Sequence, residues 1–212
     1  MSVLRVAIPK GRLQEPALRA LANAGLEPPT AADLQTRRLV FSRPDVEWIF
    51  VKDCDVPVYV EHGAADLGVA GLDQILEHES TAYQPITFPF GHCRLMVIAA
   101  PGAGSIDSAA KVASKYPRVS RNYLDARGLR TEVVTLGGSV ELAAVLHLTS
   151  HVIDLVETGE TARVHHLQLQ ETIAEIAPRL IIGRNVYRTE SARIRTLIAR
   201  LEESAAREAA SR

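Results

Sequence analysis

The stretch Glu47-Trp48-Ile49-Phe50-Val51-Lys52-Asp53-Cys54-Asp55-Val56-Pro57-Val58-Tyr59-Val60-Glu61-His62-Gly63-Ala64-Ala65-Asp66-Leu67-Gly68-Val69-Ala70-Gly71-Leu72 holds two strands and a helix in succession. Residues 47–51 read as a strand. Asp55 stands where an N-cap is expected, with Val56 and Pro57 opening a short helix that stops at Gly63. Residues 66–70 form a buried apolar strand, and Gly71 turns it into a helix over 72–79. Working outward, residues 3–8 are a strand, and Leu13, Ala17, Leu21 and Ala24 repeat at helical spacing up to a stop at Gly25. This alternation predicts an α/β fold with a mostly parallel sheet and helices on both faces.

The rhythm restarts after Phe88-Pro89-Phe90-Gly91, with strands at 94–100, 111–114, 131–136 and 152–156. Helices are expected at about 119–127, before Gly128, and at 140–146, after Gly137-Gly138-Ser139. Two α/β units joined near residue 90 follow, with a ligand expected in the cleft between them. The last helix starts near Ser191 with Ile194, Leu197, Ile198 and Leu201 on one face. Its tail, 202–212, is rich in Ala, Glu and Arg and is expected to fray.

A length of 212 residues allows one large domain or two small ones. The formal net charge of -1 gives no global field toward nucleic acid or an anionic membrane. The apolar run after Met1-Ser2 is too short for a signal peptide, and no run approaches a membrane span. Cys54 and Cys93 fit neither a disulfide framework nor a zinc motif, and no metal site is expected among the seven histidines. These features predict a cytoplasmic protein with reduced thiols.

The chemistry centres on Asp154-Leu155-Val156-Glu157-Thr158-Gly159-Glu160-Thr161. A strand delivers two carboxylates and then a Thr-Gly-x-Thr turn, whose N–H groups and hydroxyls suit a phosphate monoester. Asp154 and Glu157 lie where a ribose 5-phosphate would present hydroxyls, and carboxylates accept hydrogen bonds without donating any. The alternative is an acidic helix start capped by Thr158 or Thr161. Pro9-Lys10-Gly11-Arg12 is a second candidate, two cations about a glycine between strand and helix; its alternative is a solvated loop. Arg37 and Arg38 precede Leu39-Val40-Phe41, as anion ligands or as an exposed pair beside an edge strand. One monoester cradle with separate guanidinium groups points to a ligand with two phosphate ends. Ser139 and Glu141, at a glycine-rich junction, either hold phosphate or hydroxyl groups or make a tight turn.

Taken in order, several segments resemble the ATP phosphoribosyltransferase family over nearly the whole chain. They are Ala7-Ile8-Pro9-Lys10-Gly11-Arg12-Leu13, the run from Asp55 to Gly68, Cys93-Arg94-Leu95 and Val112-Ala113-Ser114-Lys115-Tyr116-Pro117. Gly138-Ser139-Val140-Glu141-Leu142-Ala143, the turn at 154–161 and Arg179-Leu180-Ile181-Ile182 complete the set. The resemblance implies two periplasmic-binding-protein-like α/β domains, with 1–90 plus 180–212 as the first and 91–179 inserted as the second. It implies transfer of the phosphoribosyl group of phosphoribosyl pyrophosphate to an adenine nitrogen of ATP, with magnesium carried by the substrate. It places charge stabilisation on Arg12 and Arg37, assisted by Lys10 or Arg38, the 5-phosphate on Thr158, Gly159, Glu160 and Thr161, and ribose hydroxyls on Asp154 and Glu157.

An end near residue 212 is similar to the short form of the family, which works with a separate regulatory subunit related to histidyl-tRNA synthetase in a homo- or hetero-oligomer. Departures from the family pattern fall at Leu72, often lysine, at Lys52, often arginine, at 147–151, and at Val164-His165-His166. They spare the phosphate turn. The alternative functions are a catalytically weak homologue and a small-molecule sensor module on the same fold.

Overall fold

The strand expected at residues 3–8 forms as β1 (Leu4–Pro9) in the computed structural model, in which residues 3–210 are described. Its side chains alternate, as a strand requires, so that Val6 and Ile8 enter one core and Ala7 another on the opposite face. Helix α1 (Gln14–Asn23) buries Ala17, Leu18 and Leu21, and Gly25 ends it at φ +96. A short α2 (Ala31–Leu34) and β2 (Val40–Ser42) precede β3 (Val46–Val51).

A 3-10 turn, Asp53–Asp55, then runs directly into α3 (Val56–Glu61). Asp55 therefore holds the expected N-cap position with helical backbone angles, φ -90 and ψ -18, and makes no side-chain cap bond. Strand β4 (Leu67–Gly71), α4 (Leu72–Glu77) and β5 (Tyr83–Thr87) complete the first run. There follow β6 (Cys93–Ala99), β7 (Lys111–Ser114), α5 (Pro117–Asp125), β8 (Glu132–Thr135) and α6 (Glu141–Val145). Then come β9 (His151–Val156), α7 (Glu160–Val164), β10 (Gln168–Ile176), β11 (Pro178–Ile182) and α8 (Arg184–Thr189). Helix α9 (Ser191–Ala210) stays helical through most of the tail expected to fray. Met1, Ser2, Ser211 and Arg212 lie outside the described residues.

The chain forms two compact units, 1–91 with 177–212 and 92–176. Pro178 and Arg179 pair with Gly71 and Ala70, which puts them in the first unit three residues earlier than the sequence boundary at 180. The first unit is built on a six-stranded sheet ordered β2-β3-β1-β4-β11-β5, the second on a five-stranded sheet ordered β10-β6-β9-β7-β8. Neither is mostly parallel, as expected from the alternation. The parallel pairs are β3-β1 and β1-β4 in the first, and β9-β7 and β7-β8 in the second. All the other pairings are antiparallel. The reason is that β11 lies between β4 and β5, and β6 between β10 and β9, each antiparallel to both of its neighbours, while β2 and β3 form a hairpin.

Helices cover both faces of the first sheet. Leu18, Leu21, Ile194, Leu197 and Leu201 pack with Val6, Val69, Leu180 and Ile182 on one side. Val56, Val60 and Ile75 pack with Ala7, Ala70 and Ile181 on the other. The join between β1 and β4 is close. A Cβ on Gly68 would lie 2.7 Å from Val56 Cγ1 and 3.0 Å from the Ala7 carbonyl oxygen. Gly68→Ala is therefore expected to destabilise the fold by about 1–3 kcal/mol through overpacking against fixed backbone. A urea midpoint equal to that of the parent would refute this.

Candidate functional site

In the first unit, β3, β1 and β4 run parallel and end at one edge of the sheet. The loop Lys10-Gly11-Arg12 leaves β1 there, and Lys10 N–H donates to the Val51 carbonyl at 2.8 Å. Gly11 adopts φ +96, which a side chain would strain, and the surrounding space is open. Lys10 and Arg12 are exposed. Because β2 runs antiparallel to β3, the segment before it arrives at the same edge, where Phe50 N–H donates to Leu39 O at 2.8 Å. Arg37 and Arg38 thus share an edge with Lys10 and Arg12. Both are exposed, and the Arg38 guanidinium lies 6.0 Å from the centroid of the Phe41 ring.

A capping box that the sequence reading missed anchors this segment. Thr30 N–H donates to Asp33 Oδ2 at 2.9 Å, and Asp33 N–H donates to Thr30 Oγ1 at 3.1 Å. The signal was Thr30-Ala31-Ala32-Asp33, with aspartate in place of the usual longer acid. Arg43 Nη2 donates to the same carboxylate at 2.5 Å, and Thr36 Oγ1 donates to Asp33 O at 2.7 Å. The backbone N–H of Thr30, its hydroxyl and then Arg43 hold the Asp33 carboxyl at about 2.

In the second unit, β9, β7 and β8 run parallel and also end at one edge. Strand β9 is fully buried through Ile153 and opens at Asp154, which is half-buried; Glu157 is exposed. Asp154 Oδ1 accepts from Leu155 N–H at 2.8 Å. The turn after β9 is made by Gly159 at φ +79, and no side chain caps α7. Neither threonine therefore plays the capping role that was the alternative reading. Thr158 Oγ1 accepts from Glu160 N–H at 3.3 Å, while Thr158, Glu160 and Thr161 are exposed. Glu160 is held by Arg163, with Nε and Nη2 contacts of 2.8 and 2.5 Å, and this keeps its carboxyl below the usual range.

Ser139 and Glu141 stand at the same edge after β8. Ser139 adopts φ +48, and the buried Val140 holds the N-cap position of α6 without a side-chain cap bond. Asp154, Glu157–Thr161, Ser139 and Glu141 are thus gathered at the ends of neighbouring strands of one unit. Lys115, one residue past β7 between those turns, was not singled out from the sequence as a site residue. Only its strand-end position, visible once the strand order is known, marks it. Among the described residues no group of three or more His, Cys, Asp or Glu side chains is gathered as metal ligands would be. No described helix is long and apolar enough to cross a membrane.

Two α/β units, each with its polar groups at the ends of parallel strands, define the periplasmic-binding-protein-like class. A structure of an ancestral arginine-binding protein bound to arginine matches with TM-score 0.60 at 12% identity over 96% of this chain and 92% of that one, a likeness of fold alone. A chain of the ATP phosphoribosyl transferase (HisG:HisZ) complex from Thermotoga maritima matches with TM-score 0.85 at 30% identity, covering 95% of this chain and 98% of that chain. The family model described as ATP phosphoribosyltransferase matches residues 52–203. Proteins of that name from Geobacter metallireducens and Deinococcus radiodurans are 39% and 42% identical. Each alignment covers 94% of this chain, with 97% of the first relative and 90% of the second. The chain belongs to the ATP phosphoribosyltransferase family, transferases of histidine biosynthesis.

The clamp on the Arg37-Arg38 segment has a defined acid limit. Since the folded carboxyl of Asp33 lies below its ordinary 3.8, its contribution is complete above that value and is lost as pH falls through about 2. A carbon-detected titration should place the Asp33 midpoint near 2, moving upward in Arg43→Gln; an ordinary midpoint in the parent protein would contradict the clamp.

Proposed function

We propose that the protein transfers the phosphoribosyl group of phosphoribosyl pyrophosphate to an adenine ring nitrogen of ATP, giving phosphoribosyl-ATP and pyrophosphate at the start of histidine biosynthesis. The observation that carries this reading is the turn at 157–161 after the strand that bears Asp154, where backbone N–H groups and the Thr158 and Thr161 hydroxyls lie beside carboxylates and Glu160 N–H reaches Thr158 Oγ1. The 5-phosphate of the donor sits on Thr158, Gly159, Glu160 and Thr161, and its ribose hydroxyls donate to Asp154 and Glu157. Ser139 and Glu141 border the same ligand.

In the reaction the adenine nitrogen forms a bond to the anomeric carbon as the bond to the pyrophosphate oxygen breaks. The electron pair leaves with pyrophosphate. The nucleophile already has a lone pair, so the protein's work is orientation and stabilisation of charge on the leaving group. Arg12 and Arg37 supply that stabilisation, with Lys10 or Arg38 assisting; planar guanidinium suits two phosphate oxygens at once.

The donor set of the second unit fits magnesium in one way. Asp154, Glu157 and Glu160 are the carboxylates at this turn, and magnesium would be held there chiefly by substrate oxygens and water. When bound there, magnesium neutralises pyrophosphate charge. The HisG:HisZ complex from Thermotoga maritima supports a regulatory subunit and a hetero-oligomer; the resemblance to the family's short form makes that subunit one related to histidyl-tRNA synthetase and the setting the cytoplasm.

The test mixes the protein with ATP, phosphoribosyl pyrophosphate, magnesium and pyrophosphatase, with and without such a subunit, and follows the adenine absorbance. A rate requiring both substrates supports the transferase; none under either condition would leave a catalytically weak homologue or a sensor. Arg12→Ala should lower kcat by about a hundredfold with a smaller change in donor KM, as loss of transition-state stabilisation requires. Thr161→Val should weaken donor binding about tenfold by removing a hydrogen bond to a charged group. Unchanged affinity would remove Thr161 from the cradle.

A further inference from the structure

The phosphate cradle is acidic. Asp154, Glu157 and Glu160 stand around it, and the cation on its own helix, Arg163, is spent on Glu160 through Nε and Nη2. A phosphate monoester seated there would meet carboxylates on both sides, which costs binding energy unless a cation stands close by.

Strand β7 lies between β9 and β8, parallel to both. Its last paired residue, Ser114, stands opposite Ile153 on one side and Thr135 on the other. Lys115 is the next residue, so it comes beside Asp154. Lys115 is a bend residue just past the strand, and alternation carried one residue further gives its face. Ala113 and Val152 are opposite one another and share the core under α6 and α7, so Lys115 and Asp154, two residues on, face the same side. That is the side on which α6 and α7 pack.

The backbone at Lys115 is tightly fixed. Ser114 Oγ donates to Ile153 O at 2.7 Å and accepts from Tyr116 N–H at 2.9 Å, and Leu136 N–H donates to Ser114 O at 3.0 Å. Tyr116 is buried, whereas Lys115 is only half-buried, with its ammonium 5.9 Å from the Tyr116 ring centroid. The flexible stem of lysine reaches over such an edge while its head stays solvated. On the far side of β9, Arg94 stands opposite Val156, but its other cross-strand neighbour is Glu175.

We propose that Lys115 is a donor-positioning residue: its ammonium balances the carboxylates of the cradle and contacts the phosphoribosyl group bound at 157–161. This rests on the transferase reading and deepens it. The role is recognition in the ground state, so it falls on donor affinity and not on the chemical step.

The test measures binding of phosphoribosyl pyrophosphate with magnesium by calorimetry, and steady-state kinetics, for the full-length protein, Lys115→Gln and Lys115→Arg. Lys115→Gln should weaken donor binding and raise donor KM about tenfold or more, with kcat and ATP binding near the parent values and an unchanged melting temperature. Lys115→Arg should recover much of the affinity, which a merely structural role does not predict. Parent-like donor affinity in Lys115→Gln, or a loss that Lys115→Arg does not recover, overturns the proposal. In that case an active parent protein leaves the transferase reading intact. A parent that binds no donor overturns both.

Discussion

Where β4 passes β1, residue 68 has no room for a side chain: the Ala7 carbonyl and Val56 already occupy the place of a Cβ. That approach keeps β4 paired with β1 while β3 pairs on its other side. Three strands running the same way then end together, and whatever follows each of them is delivered to one edge. The cationic loop after β1 and the arginines before β2 owe their shared location to this arrangement, not to any attraction between like charges. On the opposite faces, helices bury Leu21 and Ile194 on one side and Val56 and Ile75 on the other, which removes apolar surface from water and holds the strands in register.

The second unit repeats the device with a different set of groups. Its strand ends carry carboxylates, hydroxyls and glycine turns, where the first unit carries guanidinium and ammonium groups. Each set sits on loops, yet the loops are short and tied to strands by backbone bonds such as Lys10 N–H to Val51 O and Leu136 N–H to Ser114 O. Such anchoring restricts the loops without burying them, which suits side chains that must meet a ligand from solvent.

Much of this was legible in the residues. Residues 47–72 disclosed their strand, helix and strand because apolar alternation and Gly71 both pointed the same way, and the family resemblance was carried by motifs in order. The direction of the strands was not legible. A run such as Arg179-Leu180-Ile181-Ile182 shows that it is buried, but nothing in it says that it pairs antiparallel to β4. Strand β10 escaped notice because its side chains are mostly exposed and its pairing with β6 shifts register at Leu169/Glu171 and Thr172/Ala174, which spoils alternation. Asp55 holds the N-cap position read for it but makes no side-chain cap bond, because a 3-10 turn runs directly into the helix. The cradle was legible as a motif, whereas Lys115 needed the strand order: proximity across a sheet is not written in sequence distance.

The interruption of the first unit by the second has a consequence for the nascent chain. Strand β11 lies between β4 and β5, so the first sheet lacks an interior strand until residues 178–182 have been made. The strands of the second unit all fall within 92–176 and are synthesised before then. On the ribosome, the inserted unit is complete while the unit that hosts it still exposes the edges of β4 and β5, open to wrong partners. Vectorial synthesis therefore makes the host unit the late and vulnerable one, although its first residues are the first to emerge.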